Sequence, residues 1–469
     1  MCRRLPCGFV EMYAPCVCDV FDPETILNGL LKRILFQAPE VDPTLKFELK
    51  LFSKTFAMTH LHPLSQRPEY KPWRDSLSFP ESRKLQYDKA YQDNGGMRPP
   101  AKICHATGLF GKREGYLSHK YMRGINPRNL RWNVYCGPFF SAIEEEVYSL
   151  EQLPGLPYFV KHTPVPERIN LVKQLIAANI YGTDYSHFEG SITVDIMECC
   201  EVQLYKFMLQ NFAEDFDFIK SIITGMNVMK TKYGHRYRVQ ARRMSGDMCT
   251  SLGNGWTNLM VALFFAYKQS AKILVLVEGD DALIATDAVF TKSMYDKLGF
   301  EIKIDTFVKA TEASFCGLVF ADSGQIIRDP IKFLCKFGWT FSFVTAGEKV
   351  MWELLLAKSL SALFETPACP LVTAIAEYTL KQCYLAYPSL LPRYVYDWYH
   401  SSIPLDFKHV HQEISPDTRE LFSKLYHIDV GTQIELEKHI ADHGPSDLFY
   451  WLPPTPDISD SYCRFVEVY

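Results

Sequence analysis

The pattern of apolar and polar positions divides the chain into three unlike stretches. Residues 1–100 show no sustained period. Prolines are frequent there, and the turn Asn94-Gly95-Gly96 precedes Arg98-Pro99-Pro100, so an irregular front is expected. From about 170 to 325, short β-rich runs alternate with helical patterns. Two apolar runs, 273–277 and 283–285, flank Gly279-Asp280-Asp281 and predict a β-hairpin whose turn carries the acids. Residues 252–269 predict a helix with apolar positions dense enough to bury most of it. Beyond about 326 the period is helical, with helices expected over 349–364, 371–384, 416–426 and 430–443. A proline- and aromatic-rich tail follows from Pro445, and no internal repeat or low-complexity tract interrupts the order.

At 469 residues the chain exceeds one ordinary domain, so two or three lobes are expected. Apolar residues make up 47% and charged residues 22%, which excludes a mostly disordered chain. The longest apolar runs, 259–267 and 273–277, fall short of the roughly 18 residues of a membrane-spanning helix. With no secretory signal pattern at the start, the expectation is a soluble intracellular protein. The 50 basic and 54 acidic residues give a net charge of −4, no sign of a polyanionic partner. Locally the balance differs: residues 101–131 hold seven basic side chains against Glu114 alone, either a solvated face or a strip that neutralises phosphates. The 14 cysteines are scattered, several of them (Cys249, Cys316, Cys335) inside apolar stretches, as reduced core thiols are. Cys2, Cys7, Cys16 and Cys18 lack the paired C-x2-C spacing of common zinc sites.

Four segments carry candidate chemistry. Asp184 and Glu189 are carboxylates five residues apart in Gly182-Thr183-Asp184-Tyr185-Ser186-His187-Phe188-Glu189. Ser245-Gly246 opens a helix on which Thr250 and Asn254, four apart, share a face. Glu278-Gly279-Asp280-Asp281 forms the hairpin turn, and Lys297 and Lys303 lie beyond it. Gly-Asp-Asp alone is weak, since Asp is common in turns for its local hydrogen bonds. With Asp184 at the end of a neighbouring strand, however, two carboxylates meet as a pair of Mg2+ ions about 3.5–4 Å apart requires. The second segment reads as an ordinary capped, buried helix or as a hydroxyl and amide that, with Glu189, test a sugar for its 2′-hydroxyl.

Asp-x4-Glu, Ser-Gly-x3-Thr-x3-Asn and Gly-Asp-Asp together resemble motifs A, B and C of viral RNA-dependent RNA polymerases. The separations agree, 61 residues from Asp184 to Ser245 and 35 from Ser245 to Asp280. The strip from Arg123 through Arg131 to Gly137 resembles motif F of the tombusvirus- and nodavirus-like positive-strand branch. Lys303 falls in a motif D-like stretch and Phe315-Cys316-Gly317-Leu318 resembles motif E. The resemblance runs from about Lys112 to Phe320 and implies an α/β (α+β) right-hand fold. Fingers with an N-terminal extension would span 1–169, with motif F at about 112–137. A palm would span 170–325 with a fingers insertion at about 195–240, and a helical thumb and tail 326–469. Within the palm, motifs A to E would fall at 182–190, 245–258, 278–281, 291–305 and 314–320.

What the resemblance implies for function is RNA-templated RNA synthesis: an RNA 3′-hydroxyl attacks the α-phosphate of an NTP and pyrophosphate leaves. Asp184, Asp280 and Asp281, with the backbone carbonyl of Tyr185, would hold two Mg2+ ions, for which Mn2+ could substitute. Glu189, Ser245, Thr250 and Asn254 would read the ribose. Lys112, Arg123, Arg128 and Arg131 would bind triphosphate and RNA, where a guanidinium fork suits phosphate. Lys303 is the candidate proton donor to pyrophosphate, ahead of Lys297. Expected partners are RNA template and product, NTPs and other viral replication proteins. The expected location is the host cytoplasm, at membrane-associated replication complexes reached through another region or partner. One departure is Glu189, where this branch has Asp; its extra methylene moves the carboxylate outward by roughly 1.5 Å. His187, Trp256, Phe264, Phe265, Cys199, Cys200 and Cys249 are expected to be packing residues. Trp339-Thr340-Phe341 is a candidate aromatic support for starting without a primer. The competing functions are a reverse transcriptase or DNA polymerase with the same palm, and an inactive RNA-binding scaffold. Against the first stand Glu278-Gly279-Asp280-Asp281, which lacks the aromatic-x-Asp-Asp pattern, and Asn254; against the second, the retention of Asp184 and Asp280.

Overall fold

A computed structural model describes residues 2–7, 14–391, 403 and 407–450. Its centre is a four-stranded antiparallel sheet of β1 (Asn179–Ser186), β2 (Ile273–Glu278), β3 (Asp281–Thr286) and β4 (Glu301–Phe307). The spatial order is β2-β3-β1-β4. Val275, Val277 and Ile284 face one core with Trp256 and Leu259, whereas Leu276, Leu283 and Ala285 face another with Leu156, Val160 and Phe315. Both faces are therefore covered, which is why 273–277 is uniformly apolar rather than alternating. The expected hairpin is present, its first strand one residue and its second three residues longer than the apolar runs.

The helix expected over 252–269 is α2 (Thr250–Lys268), which packs on β2 and β3. Outside it lies α1 (Pro43–His60), one of four helices in the stretch expected to be irregular; the others are Pro23–Arg33, Tyr70–Ser76 and Glu81–Asp93. That expectation is corrected for a physical reason. Pro23 and Pro43 stand in the first turn, where a missing N–H costs nothing, and the carboxylates of Asp22 and Asp42 accept from the free amides of Thr25 and of Thr44 and Leu45. The prolines mark helix starts rather than breaks.

A second sheet joins the front of the chain to the middle. Ala106–Gly111 runs parallel to Met226–Thr231, with Gly124–Ile125 and Arg236–Gln240 on the two edges. The basic strip and residues 226–240 thus share one platform. The rear is a helical cluster with its own core, and α3 (Glu348–Glu365) packs on α4 (Val372–Ala386). Helices Pro416–Tyr426 and Val430–His443 follow as expected, each capped by the residue before it, Ser415 or Asp429. The tail beyond Tyr450 lies outside the described residues.

The chain's first residues tie front to rear. Arg3–Arg4 pairs with Trp339–Thr340, and Leu5 and Cys7 enter the rear core. Cys16–Val17 pairs instead with Gly115–Tyr116 of the basic strip. Cys2, Cys7 and Cys16 are buried, as core cysteines are. Close packing also fixes the helix Leu130–Tyr148, where a Cβ on Gly137 would enter the ring of buried Trp73. Gly137→Ala is expected to cost about 1–3 kcal/mol in denaturant unfolding despite Ala being the better helix former.

Candidate active site

Strand register brings the acids together. Thr183 pairs with Ala282, so the next residue on β1, Asp184, lies beside Asp281 at the start of β3. Glu278 pairs with Asp281, leaving Gly279 and Asp280 as a two-residue turn, and Gly279 adopts φ +63°, a conformation suited to glycine. The turn is held from below. Tyr185, buried, donates its hydroxyl to Asn258 Oδ1 at 3.3 Å, and Asn258 Nδ2 donates to the Gly279 carbonyl at 3.2 Å. Asn258 sits on α2, so one side chain fixes the strand of Asp184 to the turn of Asp280. Gly255, whose Cβ would lie 3.1 Å from the Phe159 ring, lets α2 come this close.

The electrostatics mark the turn as a concentration of negative charge. Asp184 and Asp280 are exposed to the cleft and Asp281 is half-buried. Burial among protein groups, then Glu189 and Asp184, push the Asp280 carboxyl up, with Arg123 opposing. Burial, Asp280, Asp184 and Glu278 push Asp281 up to about 7. Repelling oxygens that lower one another's acidity are the donor set a hard divalent cation relieves. They do not form a closed cage. Among the described residues, the one trio of metal-ligating side chains with all ligand atoms within 4.8 Å lies elsewhere, at Glu377, His409 and His411. Glu278 is unavailable, since Arg168 pairs with its Oε2 at 2.6 Å and the Cys316 thiol donates to the same oxygen at 3.4 Å. The Tyr185 side chain turns away into the core, so only its backbone remains for the role expected of it.

Lys303 is the direct cross-strand neighbour of Asp184, on the same face of the sheet. Its side chain is 70% exposed and its Nζ lies 2.7 Å from Asp305 Oδ2, so it stands beside the acids but leans away from them. Lys297 caps the helix Lys292–Asp296 and is not on the sheet. His187, at φ +56°, packs against Phe36. Trp256, Phe264, Phe265, Cys199, Cys200 and Cys249 are all buried, as expected of packing residues. Trp339 is fully buried in the pairing with Arg3–Arg4, so of the two aromatics in the candidate segment 339–341 the half-buried Phe341 is the accessible one.

The segment opening α2 is anchored by residues that motif reading passed over. Arg243, buried, pairs with Glu201 at 2.5 Å and donates from Nε to Asn254 Oδ1 at 3.0 Å. Gly253 leaves room for this ion pair, because a Cβ there would collide with both partners. Asn254 is thus buried and held by its oxygen. Thr250 donates its hydroxyl to the Met244 carbonyl at 3.0 Å, which closes the loop and leaves it less free to meet a ribose. Ser245 is half-buried; its carbonyl accepts from the Asn126 amide, and Gly246 adopts φ +97° against Ile125. The Ser-Gly turn therefore docks on the basic strip itself.

Within that strip the arginines divide. Arg123 is half-buried beside the acids. Burial works against its charge, but Glu114, Glu189, Tyr116 and Asp280 outweigh it and hold the guanidinium in its charged form. Lys112 is exposed, with Glu114 3.0 Å from its Nζ. Arg128 does not line a phosphate path, a correction to its expected role. It is buried, paired with Asp247, and donates to the Cys104 carbonyl at 2.8 Å and to Asn227 Oδ1 at 2.9 Å. Arg131 donates to Asn94 Oδ1 at 2.6 Å, while Asn94 returns a bond to the Arg131 carbonyl at 2.8 Å. Sequence reading missed Arg33, at the end of helix Pro23–Arg33. Burial and Arg123 lower its pKa, Glu189 raises it, and its carbonyl is seated where a Cβ on Gly190 would fall. No motif signals it, because it comes from the front helices.

The site thus brings together acids at adjacent strand ends, a glycine-turned start of α2 and the half-buried Arg123. Known proteins share part of this sequence. Residues 112–318 match the family model of viral RNA-dependent RNA polymerases, a stretch that contains Asp184, Ser245, Asp280 and Lys303. The chain is 26% identical over 261 residues to an RNA-directed RNA polymerase of Atlantic halibut nervous necrosis virus, covering 52% of this chain and 26% of that protein. It is 27% identical over 259 residues to that of Groundnut rosette virus, covering 51% and 30%. For the Carnation mottle virus polymerase the figures are 26% over 231 residues, 46% and 30%. Over this stretch the chain is similar to viral RNA-directed RNA polymerases, the group its motifs resemble. The alignments span about a quarter to a third of these relatives.

Two expectations follow for stability. Asp247→Ala leaves the Arg128 charge buried without its partner and should cost about 3–5 kcal/mol in urea unfolding. For Asp281, the folded carboxyl titrates at about 7 against 3.8 for a free Asp. Its penalty is therefore absent below about pH 4, grows as pH rises, and is complete above pH 7. With divalent cations chelated, Asp281→Asn should stabilise the protein at pH 8 by about 1–2 kcal/mol and leave it unchanged at pH 4, read by thermal unfolding.

Proposed function

We propose that this chain carries the catalytic core of a viral RNA-directed RNA polymerase, adding NTPs to an RNA 3′-hydroxyl on an RNA template. The observation that carries the reading is Asp184 beside Asp281, at the base of the Asp280 turn, within the matched stretch. The central sheet would be the palm, the sheet joining 106–125 to 226–240 the fingers, and the rear helices the thumb.

Asp184, Asp280 and Asp281 would hold two Mg2+ ions. Ions held there would supply activation of the attacking hydroxyl and stabilisation of the leaving oxygen. The remaining work falls to the chain's own groups. Arg123 binds the triphosphate and neutralises it, with Arg33 on the same side. Asn254, kept in place by Arg243, and Glu189 face the ribose and set the preference for a 2′-hydroxyl. Lys303 needs only to leave Asp305 to deliver a proton to pyrophosphate. Lys112 and the exposed part of the strip follow template or product phosphates, so RNA binding weakens as salt rises. Base pairing supplies sequence choice. Other viral replication proteins are proposed partners. No described helix is long and apolar enough to cross a membrane, so attachment to membrane replication sites is assigned to another region or partner.

Primed extension on a defined RNA template with Mg2+ tests this. Wild type should extend with NTPs and not dNTPs, and Asp280→Ala should lower the rate by roughly 10³-fold or more. Arg123→Ala should raise the KM for NTP about tenfold or more, whereas Arg128→Lys should act through stability and leave that KM unchanged. Preference for dNTPs would move the protein to the reverse transcriptases. Extension that survives Asp280→Ala, or none from folded wild type that binds RNA, would overturn the assignment.

A further inference from the structure

The rear cluster holds a group of side chains that polymerisation does not use. Glu377 lies on α4, whose opposite face, with Ile375, Ala376 and Thr379, is buried. Its Oε1 is 2.6 Å from His409 Nε2 and 2.8 Å from His411 Nδ1. The three ligand atoms all lie within 4.8 Å of one another. We propose that Glu377, His409 and His411 bind a Zn2+ ion that clasps the segment at 407–411 onto α4.

The donor set selects the metal. Two imidazole nitrogens and one carboxylate oxygen suit zinc, which takes such mixed sets with a fourth position for water; Mg2+ and Ca2+ prefer oxygen donors throughout. The geometry needs little adjustment. Zinc bonds of about 2.0–2.1 Å at tetrahedral angles set neighbouring donor atoms roughly 3.4 Å apart. The two contacts to Glu377 must therefore widen by roughly 0.6–0.8 Å. The groups that must move are the free ones: the side chains of His411 and Glu377 are 72% and 29% exposed, whereas that of His409 is 10% exposed and fixes the site's position. Exposure of His411 also leaves the ion an entry path. Both histidines now direct a ring nitrogen at one oxygen of one carboxylate, an arrangement in which a single cation replaces two competing protons.

The ion would matter mechanically. Just before the histidines, Phe407 packs edge-on against Phe364 of α3, with ring centroids 5.3 Å apart. Just after them, Gln325 donates to the Glu413 carbonyl at 2.8 Å, leading into the helix Pro416–Tyr426. A clasp at 409 and 411 would hold the outer helices of the cluster to α3 and α4.

The test uses the full chain, stripped with chelator and titrated with Zn2+ by calorimetry in millimolar Mg2+, with thermal unfolding in parallel. One Zn2+ per chain and a rise in Tm reversed by chelator are expected. His409→Ala, His411→Ala and Glu377→Gln should each weaken binding about tenfold or more and remove the rise in Tm. His411 is exposed, so His411→Ala tests the site without threatening the fold. Co2+ in place of Zn2+ should give the visible absorption of a four-coordinate ion, lost in the same variants. No binding by wild type, or equal affinity in wild type and His411→Ala and Glu377→Gln, would overturn the proposal and leave a histidine–carboxylate contact. RNA extension by the same preparations is read separately, so failure of one assignment does not hide failure of the other.

Discussion

The site depends on a conflict between charge and rigidity. Asp184, Asp280 and Asp281 repel one another, and nothing in their own chemistry keeps them together. What does so is Asn258, which accepts from Tyr185 on one strand and donates to the turn on another from within the buried helix α2. A sheet with hydrophobic cores on both faces gives this bridge an unyielding frame. The repulsion is then held in place by the fold, so the cations proposed for these acids would meet a site already assembled.

The same division of labour appears in the arginines. Arg123 and Arg128 are five apart in a strip whose seven basic residues read as one electrostatic feature. Folding separates them: Arg128 goes into the core to pair with Asp247, and Arg123 remains by the acids. Arg243 does for α2 what Arg128 does for the strip, with Glu201 as its counter-ion. Such buried pairs are weak sources of net stability but strong determinants of geometry, because leaving either charge alone is so costly.

Periodicity made the sheet and the long helices legible: β2, β3 and α2 lie within a residue or two of where the apolar runs put them. The acids were legible because their spacing is a property of adjacent strands. The front helices were not, since Pro23 and Pro43 look like breakers unless the capping Asp before each is weighed with them. Nor were Arg128 and Trp339, whose burial depends on partners more than a hundred residues away, Asp247 in one case and Arg4 in the other. Arg33 had no pattern to betray it. Two-residue strands such as Arg3–Arg4 carry too little sequence for any period to show.

That short pairing has a temporal side. Arg3 meets Thr340, and Cys16 meets Tyr116, so the start of the chain finds its second partner about a hundred residues later and its first only after some 340 have been made. Contacts of such sequence separation form late, because a long loop must close before they return any free energy. During synthesis the buried surfaces of Cys2, Leu5 and Trp339 therefore stay uncovered until the rear helices emerge. The central sheet, whose last strand ends at Phe307, can form before Trp339 and Thr340 are made, so the pairing with Arg3–Arg4 closes over a sheet already in place.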